Sequence, residues 1–433
     1  TPHRLFGYVT MNDLPSLPDP NSGGVVNNFA NLNRSDFTDD IWSIKVDQTI
    51  LQDHRVAFFF TNQIQETTQA NLNLPGPISH GLVTQQKPRN VRLNHDWTMS
   101  PTLLLHTTVG YSDTRQFFQN PEQEGFTTRL GLRGLIGRGT TNAFPVVNFD
   151  NADRLTSLAA TNGPKNKGSQ INTTWHLNGA LSWIQGAHQW KFGWDVRELT
   201  TFADPLDIAN GQGTFNFRRN QTALPTALGT TGNSFASFLL GDVDSATATL
   251  AANRVDNKAT YKYRAVYVQD DWKVTSRLTL NLGMRWEIGL PRQDTFDEFT
   301  SFDPTLPNAA AGGRPGALAY AGTGVGRTGR KRFGDLVWNQ FRPRAGFAWR
   351  TSDKTVVRGG YGIYYGAANH TTGGFCLGCS FGFSAQPQWT SDNINQAFNW
   401  DSGFQSPPGF VEPPFIDPTF ANGGSPWFLS PRS

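Results

Sequence analysis

Long apolar runs are missing from this sequence. The longest are about five residues, such as the VAFFF of 56–60, against the roughly 20 that a membrane-crossing helix needs. If the chain meets a bilayer, strands must cross it, because only helices and closed sheets satisfy every backbone group in lipid. Charge is scarce as well: 16% of the 433 residues are charged, below the roughly 25% of a typical soluble protein. The 37 basic and 34 acidic side chains are spread along the chain, leaving a net charge of +3. Without a basic block, nucleic acid is not expected as a partner. Cysteine is nearly absent, with Cys376 and Cys379 the only two. No second CxxC and no paired His stand near them, so a local disulfide or two free thiols in a loop is expected rather than a metal site. The chain opens on Thr1, shows no charged-then-apolar leader and stops at Ser433 in a Pro-rich stretch. It is therefore expected to be an internal piece of a longer protein.

Aromatic residues, by contrast, are plentiful at 12%, with 13 Trp and 32 Phe. They fall into a pattern of period two. Leu278, Leu280, Leu282, Met284 and Trp286 alternate with Thr279, Asn281, Gly283, Arg285 and Glu287, so a strand here has one apolar and one polar face. The same alternation predicts five hairpins, with short links at 51–54, 99–102, 185–188, 273–277 and 351–354. Further strands are expected at 5–10, 213–219 and 245–254, giving about twelve, and 233–241 reads as a short helix or an irregular loop. Pro343 cannot donate to a ladder and suggests a strand entrance or bulge. Between and after the hairpins lie long stretches, 115–168, 291–336 and 367–433, that read as loops.

Short links alternating with long loops are the mark of a transmembrane barrel, whose turns are short on one side of the membrane and long on the other. A soluble sandwich has no reason to sort its loops in this way. Trp97, Trp183, Trp190, Trp272 and Trp349 stand near the short links, while Trp286, Tyr111 and Tyr365 are expected near the opposite strand ends. Two girdles at the headgroup levels follow, because indole and phenol rings are apolar with a polar tip. The polar face carries Lys191, Asp195, Arg197, Arg285, Glu287, Arg342, Arg344 and Arg358. Such charges are costly in lipid or a dry core, so they are expected to line a hydrated lumen and are the ligand-contact candidates.

Four strings carry a family resemblance: YVQDDWKVTSRLTLNLGMRWE (267–287), NQFRPRAGFAWRTSDKTVVRGGYGIYYG (339–366), TGNSFASFLLGDVDSATA (231–248) and GAHQWKFGWDVRE (186–198). They resemble the barrel of TonB-dependent receptors, with the Oar-like group, whose members carry a carboxypeptidase-regulatory-like domain, the nearest in look. The resemblance runs from about residue 36 to 366 and marks strands and turns rather than substrate contacts. It implies a 22-stranded outer-membrane barrel closed by an N-terminal plug, with a bound ligand drawn inward by energy from the inner-membrane TonB complex. All 433 residues would then belong to one barrel domain, without its signal peptide, plug and closing C-terminal strands. The partners implied are outer-membrane lipid, an unidentified ligand and, through the missing N-terminal region, the TonB complex. A partial barrel of this kind is expected to be an open sheet with two unpaired edges or a smaller closed barrel.

Catalytic chemistry is not expected, nor is a cofactor. The GTGVGRTG of 322–329 lacks the preceding strand, following helix and Lys-Ser/Thr pair of a nucleotide loop. Asp270 and Asp271 are neighbours in a strand, point to opposite faces and cannot share a substrate atom. His95, His106 and His176 lie on separate strands without metal spacing. The reading from a different class is a surface adhesion or glycan-binding β protein without energy coupling.

Overall fold

The computed structural model describes residues 35–69, 82–119, 130, 144–155, 157–158, 167–204, 213–248, 250–251, 256–332, 334–365, 382–385, 387–402 and 416. In chain order the first strands are β1 (Asp36–Leu51), β2 (His54–Gln69), β3 (Leu82–Ser100), β4 (Leu103–Gln119), β5 (Val146–Phe149), β6 (Lys167–Gln185), β7 (His188–Asp204) and β8 (Thr214–Phe217). A short α-helix, α1 (Ser234–Leu240), precedes β9 (Asp242–Val243), β10 (Ser245–Thr247) and β11 (Leu250–Ala251). Then come β12 (Asn257–Lys273), β13 (Leu278–Asp294), β14 (Thr300–Asn308), β15 (Arg314–Tyr320), β16 (Phe341–Ser352), β17 (Thr355–Gly362), β18 (Ser384–Ala385), β19 (Gln388–Thr390) and β20 (Phe398–Asn399).

Ten of these form one antiparallel sheet in the order β1-β2-β3-β4-β6-β7-β12-β13-β16-β17. The five expected hairpins are all present, three of them closed even more tightly than the sequence suggests, with Leu51 paired to His54, Gln185 to His188 and Ser352 to Thr355. At the third turn Gly186 has φ +60, a conformation that an L side chain resists and glycine accepts. The sheet is open: β1 and β17 are its two edges and do not pair with each other. No helix among the described residues is long and apolar enough to cross a membrane.

The strand count of about twelve is corrected to ten in this sheet. The segment 5–10 lies outside the described residues, while those at 214–217 and 245–251 pair elsewhere. There β19, β10, β8 and β5 make a separate four-stranded sheet, β8 running parallel to β5. Phe144, Val147, Phe215, Phe217, Phe238, Val243, Trp389 and Trp400 are buried together behind it, with Phe215 and Trp400 rings 4.2 Å apart. The loops after β4, β7 and β17 thus build one small body with its own core. Residues 233–241 contain a true helix, capped by the Asn233 side chain and ended by Gly241 at φ +77. The stretch 291–336 is likewise not bare loop, since β14 and β15 pair within it.

Register gives the large sheet two unlike faces. One carries Leu93, Val109, Leu177, Val266, Leu282, Met284, Phe347 and Trp349, all large, apolar and exposed. On the other, Thr108, Asp195 and Glu287 are buried. This is the reverse of a water-soluble protein, in which exposed apolar patches of such size are rare. Four tryptophans occupy equivalent places on the apolar face. Trp97 pairs with His54, Trp183 with Leu103, Trp272 with His188 and Trp349 with Leu278, so each stands opposite the first residue after a short turn. Trp175 lies eight residues before Trp183 on β6 and packs against Tyr111, with ring centroids 4.6 Å apart and planes tilted at 49°. Eight residues span about 27 Å of strand, which after a tilt of ~40° is close to the ~25 Å height of an outer-membrane apolar band.

The second girdle does not sit at the strand ends, as the sequence suggested. From Tyr111 and Trp175 the strands continue to Gln119 and back to Lys167, well beyond the 9–11 residues that a bilayer requires. Tyr365 is not part of that girdle either: its ring lies 5.4 Å from the Arg342 guanidinium, on the polar side of the sheet.

Candidate functional site

The polar face is organised by register. Asn94, Thr108, Asn178, Asp195, Ala265 and Glu287 form one continuous row across six strands. A neighbouring row runs Arg92, Gly110, His176, Arg197, Tyr263, and a third runs Gly193, Tyr267, Arg285, Arg342. Period-two alternation puts all of these on one side. Strand pairing then brings into one row residues up to about 190 positions apart in sequence.

Where the rows meet, charges interlock. Arg197 donates to both oxygens of Asp195 (Nε to Oδ1, 2.9 Å; Nη2 to Oδ2, 2.7 Å). His176 Nε2 stands 3.3 Å from the same carboxylate. Arg285 bridges the two acids, with Nη2 donating to Asp195 Oδ2 at 3.1 Å and Nε to Glu287 Oε2 at 3.2 Å. The Tyr263 hydroxyl donates to Glu287 Oε2 at 2.6 Å and accepts from Arg285 at 2.9 Å. Arg342 pairs with the other Glu287 oxygen and donates to the Tyr365 carbonyl at 2.7 Å. Asp195 and Glu287 are only 7% and 3% exposed. At that depth each carboxylate is tolerable only because several donors replace water.

Two glycines let the side chains lie flat. The Tyr267 ring rests over Gly193, where a Cβ would fall 2.2 Å from Cζ, and the Arg285 guanidinium is 5.6 Å from that ring. Arg344 lies over Gly283 in the same way, with Nε 2.9 Å from where a Cβ would be.

Of the eight charged residues singled out in the sequence, Asp195, Arg197, Arg285, Glu287 and Arg342 are in direct contact, and Arg344 is beside them. Lys191 faces the same side but lies nearer the short turns, opposite Ser182 and Gln269. Arg358 is on the edge strand β17, opposite Ala348, away from the cluster. The sequence reading did not single out Tyr263 and Tyr267, although both share the parity of Glu287 and Arg285. Also unforeseen was an open groove of about 520 Å³ farther along the same face, lined by Lys45, Asp47, Arg92, Asp96 and His106 among others. In it His106 Nδ1 meets Asp96 Oδ1 at 2.5 Å and Lys45 meets Asp47 at 2.9 Å.

Other sequence features fall elsewhere. Asp270 and Asp271 do face opposite sides: Asp270 Oδ2 is 2.7 Å from His188 Nδ1 on the apolar face, while Asp271 accepts from Asn281 at 2.6 Å on the polar face. His95 meets His54 at 2.9 Å on the apolar face. Residues 322–329 form a knot of turns around Arg327, which donates to the carbonyls of Asp297 and Ala321, with glycines 322, 324, 326 and 329 all at positive φ. Cys376 and Cys379 lie outside the described residues. Among the described residues no cluster of three or more His, Cys, Asp or Glu could hold a metal ion.

Residues 4–432 match the family model described as outer membrane beta barrel domain. No curated protein matches the chain. Among solved structures it is similar to the copper transporter OprC at 12% identity and a TM-score of 0.36, covering 76% of this chain and 36% of that one. The ferric enterobactin receptor PfeA of Pseudomonas aeruginosa is similar at 11% identity and a TM-score of 0.34, with coverages of 79% and 44%. The siderophore receptor PirA of Acinetobacter baumannii is similar at 9% identity and a TM-score of 0.33, with coverages of 76% and 43%. The chain spans less than half the length of each of these three proteins.

Proposed function

The chain belongs to the outer membrane beta barrel domain family and resides in the outer membrane, and from that premise we propose that it is part of the barrel of a TonB-dependent transporter of the Oar-like group. All 433 residues are assigned to one barrel domain, the small body formed by its long loops included. The apolar face meets lipid, and the polar face lines the passage through which an unidentified ligand moves. Energy coupling would come through a segment N-terminal to the barrel that contacts the TonB complex.

The observation that carries this reading is the buried network of Asp195, Arg197, Arg285, Glu287 and Arg342. A wall this deeply desolvated and charge-matched offers fixed donors and acceptors to whatever occupies the lumen. We assign ligand or plug contact to that network together with Arg344 and Lys191, and give Arg358 only a peripheral part. Purified full-length receptor mixed with the periplasmic domain of TonB tests the coupling. A stoichiometric complex supports transport. No complex, under conditions where an authentic TonB-dependent receptor forms one, removes energy coupling and leaves the adhesion reading.

A further inference from the structure

The four-stranded sheet built by the long loops has an outer face as ordered as its core. Period two turns Phe215, Ala246 and Trp389 inward, each at most 3% exposed. It therefore turns Asn216 on β8, Ser245 and Thr247 on β10, and Gln388 and Thr390 on β19 to the other side. Asn216, Ser245 and Thr390 stand in register as one row. Along that row the Asn148 amide donates to Asn216 Oδ1 at 2.9 Å, and the Asn216 amide donates in turn to Ser245 Oγ at 3.1 Å. The outward groups of β8, β10 and β19 line a cavity of about 280 Å³, near the lower bound of ~300 Å³ for small-molecule pockets.

One part of the cavity wall is fixed by Asp244, which is 4% exposed. Its Oδ1 accepts from Ser391 Oγ at 2.6 Å and from Gln221 Nε2 at 3.0 Å, and its Oδ2 lies 3.3 Å from Arg218 Nε. Burying a carboxylate is costly, and a merely solvated loop surface does not require it. Here it holds the Arg218 guanidinium in place, with that side chain 57% exposed and its outer nitrogens left for a ligand. Arg218 and Asp244 are the charged residues lining the cavity and they cancel, so the wall selects neither sign of charge. What remains are amides, which carry both donors and acceptors, and hydroxyls, which do both at one atom. Such a set matches a ligand that carries many hydroxyls. Trp389 is turned into the core, so recognition rests on hydrogen bonds rather than on a ring platform. We propose that this face binds a neutral saccharide at the cell exterior, the side on which the long loops of a barrel lie. The site shares no residue with the charged wall of the large sheet and does not depend on what passes along that wall.

The test is saturation-transfer NMR on the full chain in an amine-oxide detergent, which has no sugar headgroup. The probes are the methyl glycosides of glucose, galactose, mannose and xylose, each titrated to about 10 mM, tenfold above a millimolar Kd. At least one should bind; binding by none overturns the proposal. Arg218→Met keeps the apolar stem, and Asp244 retains Ser391 and Gln221. This variant should bind the same glycoside about tenfold more weakly, the loss of one hydrogen bond to a charged donor, while Lys354→Gln at a short turn binds normally. Equal binding by Arg218→Met and the wild type overturns the proposal. On the wild type alone, 2-methoxytetrahydropyran, the same ring without hydroxyls, should fail to displace the glycoside, so the site stays testable even if the variant misfolds. Displacement at similar concentration would show that hydroxyls are not read and would overturn it. A methyl glucuronide that binds tenfold or more tightly than the methyl glucoside would make this an anion site and overturn the neutral assignment.

Discussion

Glu287→Ala gives the sharpest test of the inner wall. Arg285 and Arg342 stand directly opposite each other on β13 and β16, an arrangement of like charges that is destabilising by itself. Glu287 sits between them, its side chain 4% exposed against 20% for each arginine. Breaking a buried pair commonly costs about 3–5 kcal/mol. Here the loss is smaller, because Arg285 keeps Asp195 and Tyr263 while Arg342 keeps the Tyr365 carbonyl. We expect about 2–3 kcal/mol for Glu287→Ala and roughly half of that for Glu287→Gln, which retains an acceptor oxygen. Removing one of the stranded cations as well, in Glu287→Ala/Arg342→Leu, should recover about 1 kcal/mol or more, a coupling that a double-mutant cycle isolates. Urea unfolding of the protein folded into phospholipid vesicles, followed by Trp fluorescence, measures these three variants together with Arg342→Leu alone, which closes the cycle. Wild-type stability for Glu287→Ala, or additive losses in the double variant, would refute the interlocked network.

Further outcomes follow from other parts of the fold. Gly179→Val should cost about 1–3 kcal/mol, because the Trp194 ring lies where a Cβ would have to go, 2.2 Å from Cζ2; a shifted Trp194 emission with lost stability is expected, and an unchanged spectrum would contradict the packing. Leu177→Arg, in the middle of the apolar band, should cost about 2–4 kcal/mol, while Asn178→Arg on the opposite face should cost well under ~1 kcal/mol; equal costs in vesicle unfolding would argue against two faces. In the loop-built body Asp153 links three segments, accepting from Arg219 at 2.6 Å and from the Ser234 amide at 2.8 Å. Burial pushes its carboxyl up, but the bonds from Ser234 and Arg219 outweigh burial and hold it below the ordinary carboxylate value. Its contribution is therefore complete above about pH 4 and is lost as pH falls through the depressed value. Amide exchange at Ser234 should accelerate only under that acid condition, and Asp153→Asn should remove the dependence.

Much of this was legible in the sequence because lipid imposes a strict period of two. The segments that cross the band, such as 278–286, cannot place a polar side chain outward without cost, and their faces can be read residue by residue. Once past the band the constraint vanishes. The TRQFFQ of 114–119 and KGSQINTT of 167–174 continue β4 and β6 with water available to both faces, so no alternation marks them as strands. The loop-built body was illegible for another reason. β5, β8, β10 and β19 are three or four residues each, too short for a period, and come from segments up to about 240 residues apart. Phe215, Phe238 and Trp400 gave no sign that they share a core. The charged wall was legible as a set of residues with one parity, but not as a network. Which acid each arginine meets depends on the inter-strand register, and that is set by turns and by pairings between separate hairpins.

The direct measurement of the central claim is a nitroxide scan of residues 174–183 on β6, with the protein in phospholipid vesicles. Labels at 175, 177, 179, 181 and 183 should be reached by oxygen dissolved in the bilayer, and labels at 174, 176, 178, 180 and 182 by a water-soluble nickel complex, in strict alternation. Labels at 177 and 181 that respond to neither reagent would place that face against protein instead of lipid and contradict the account.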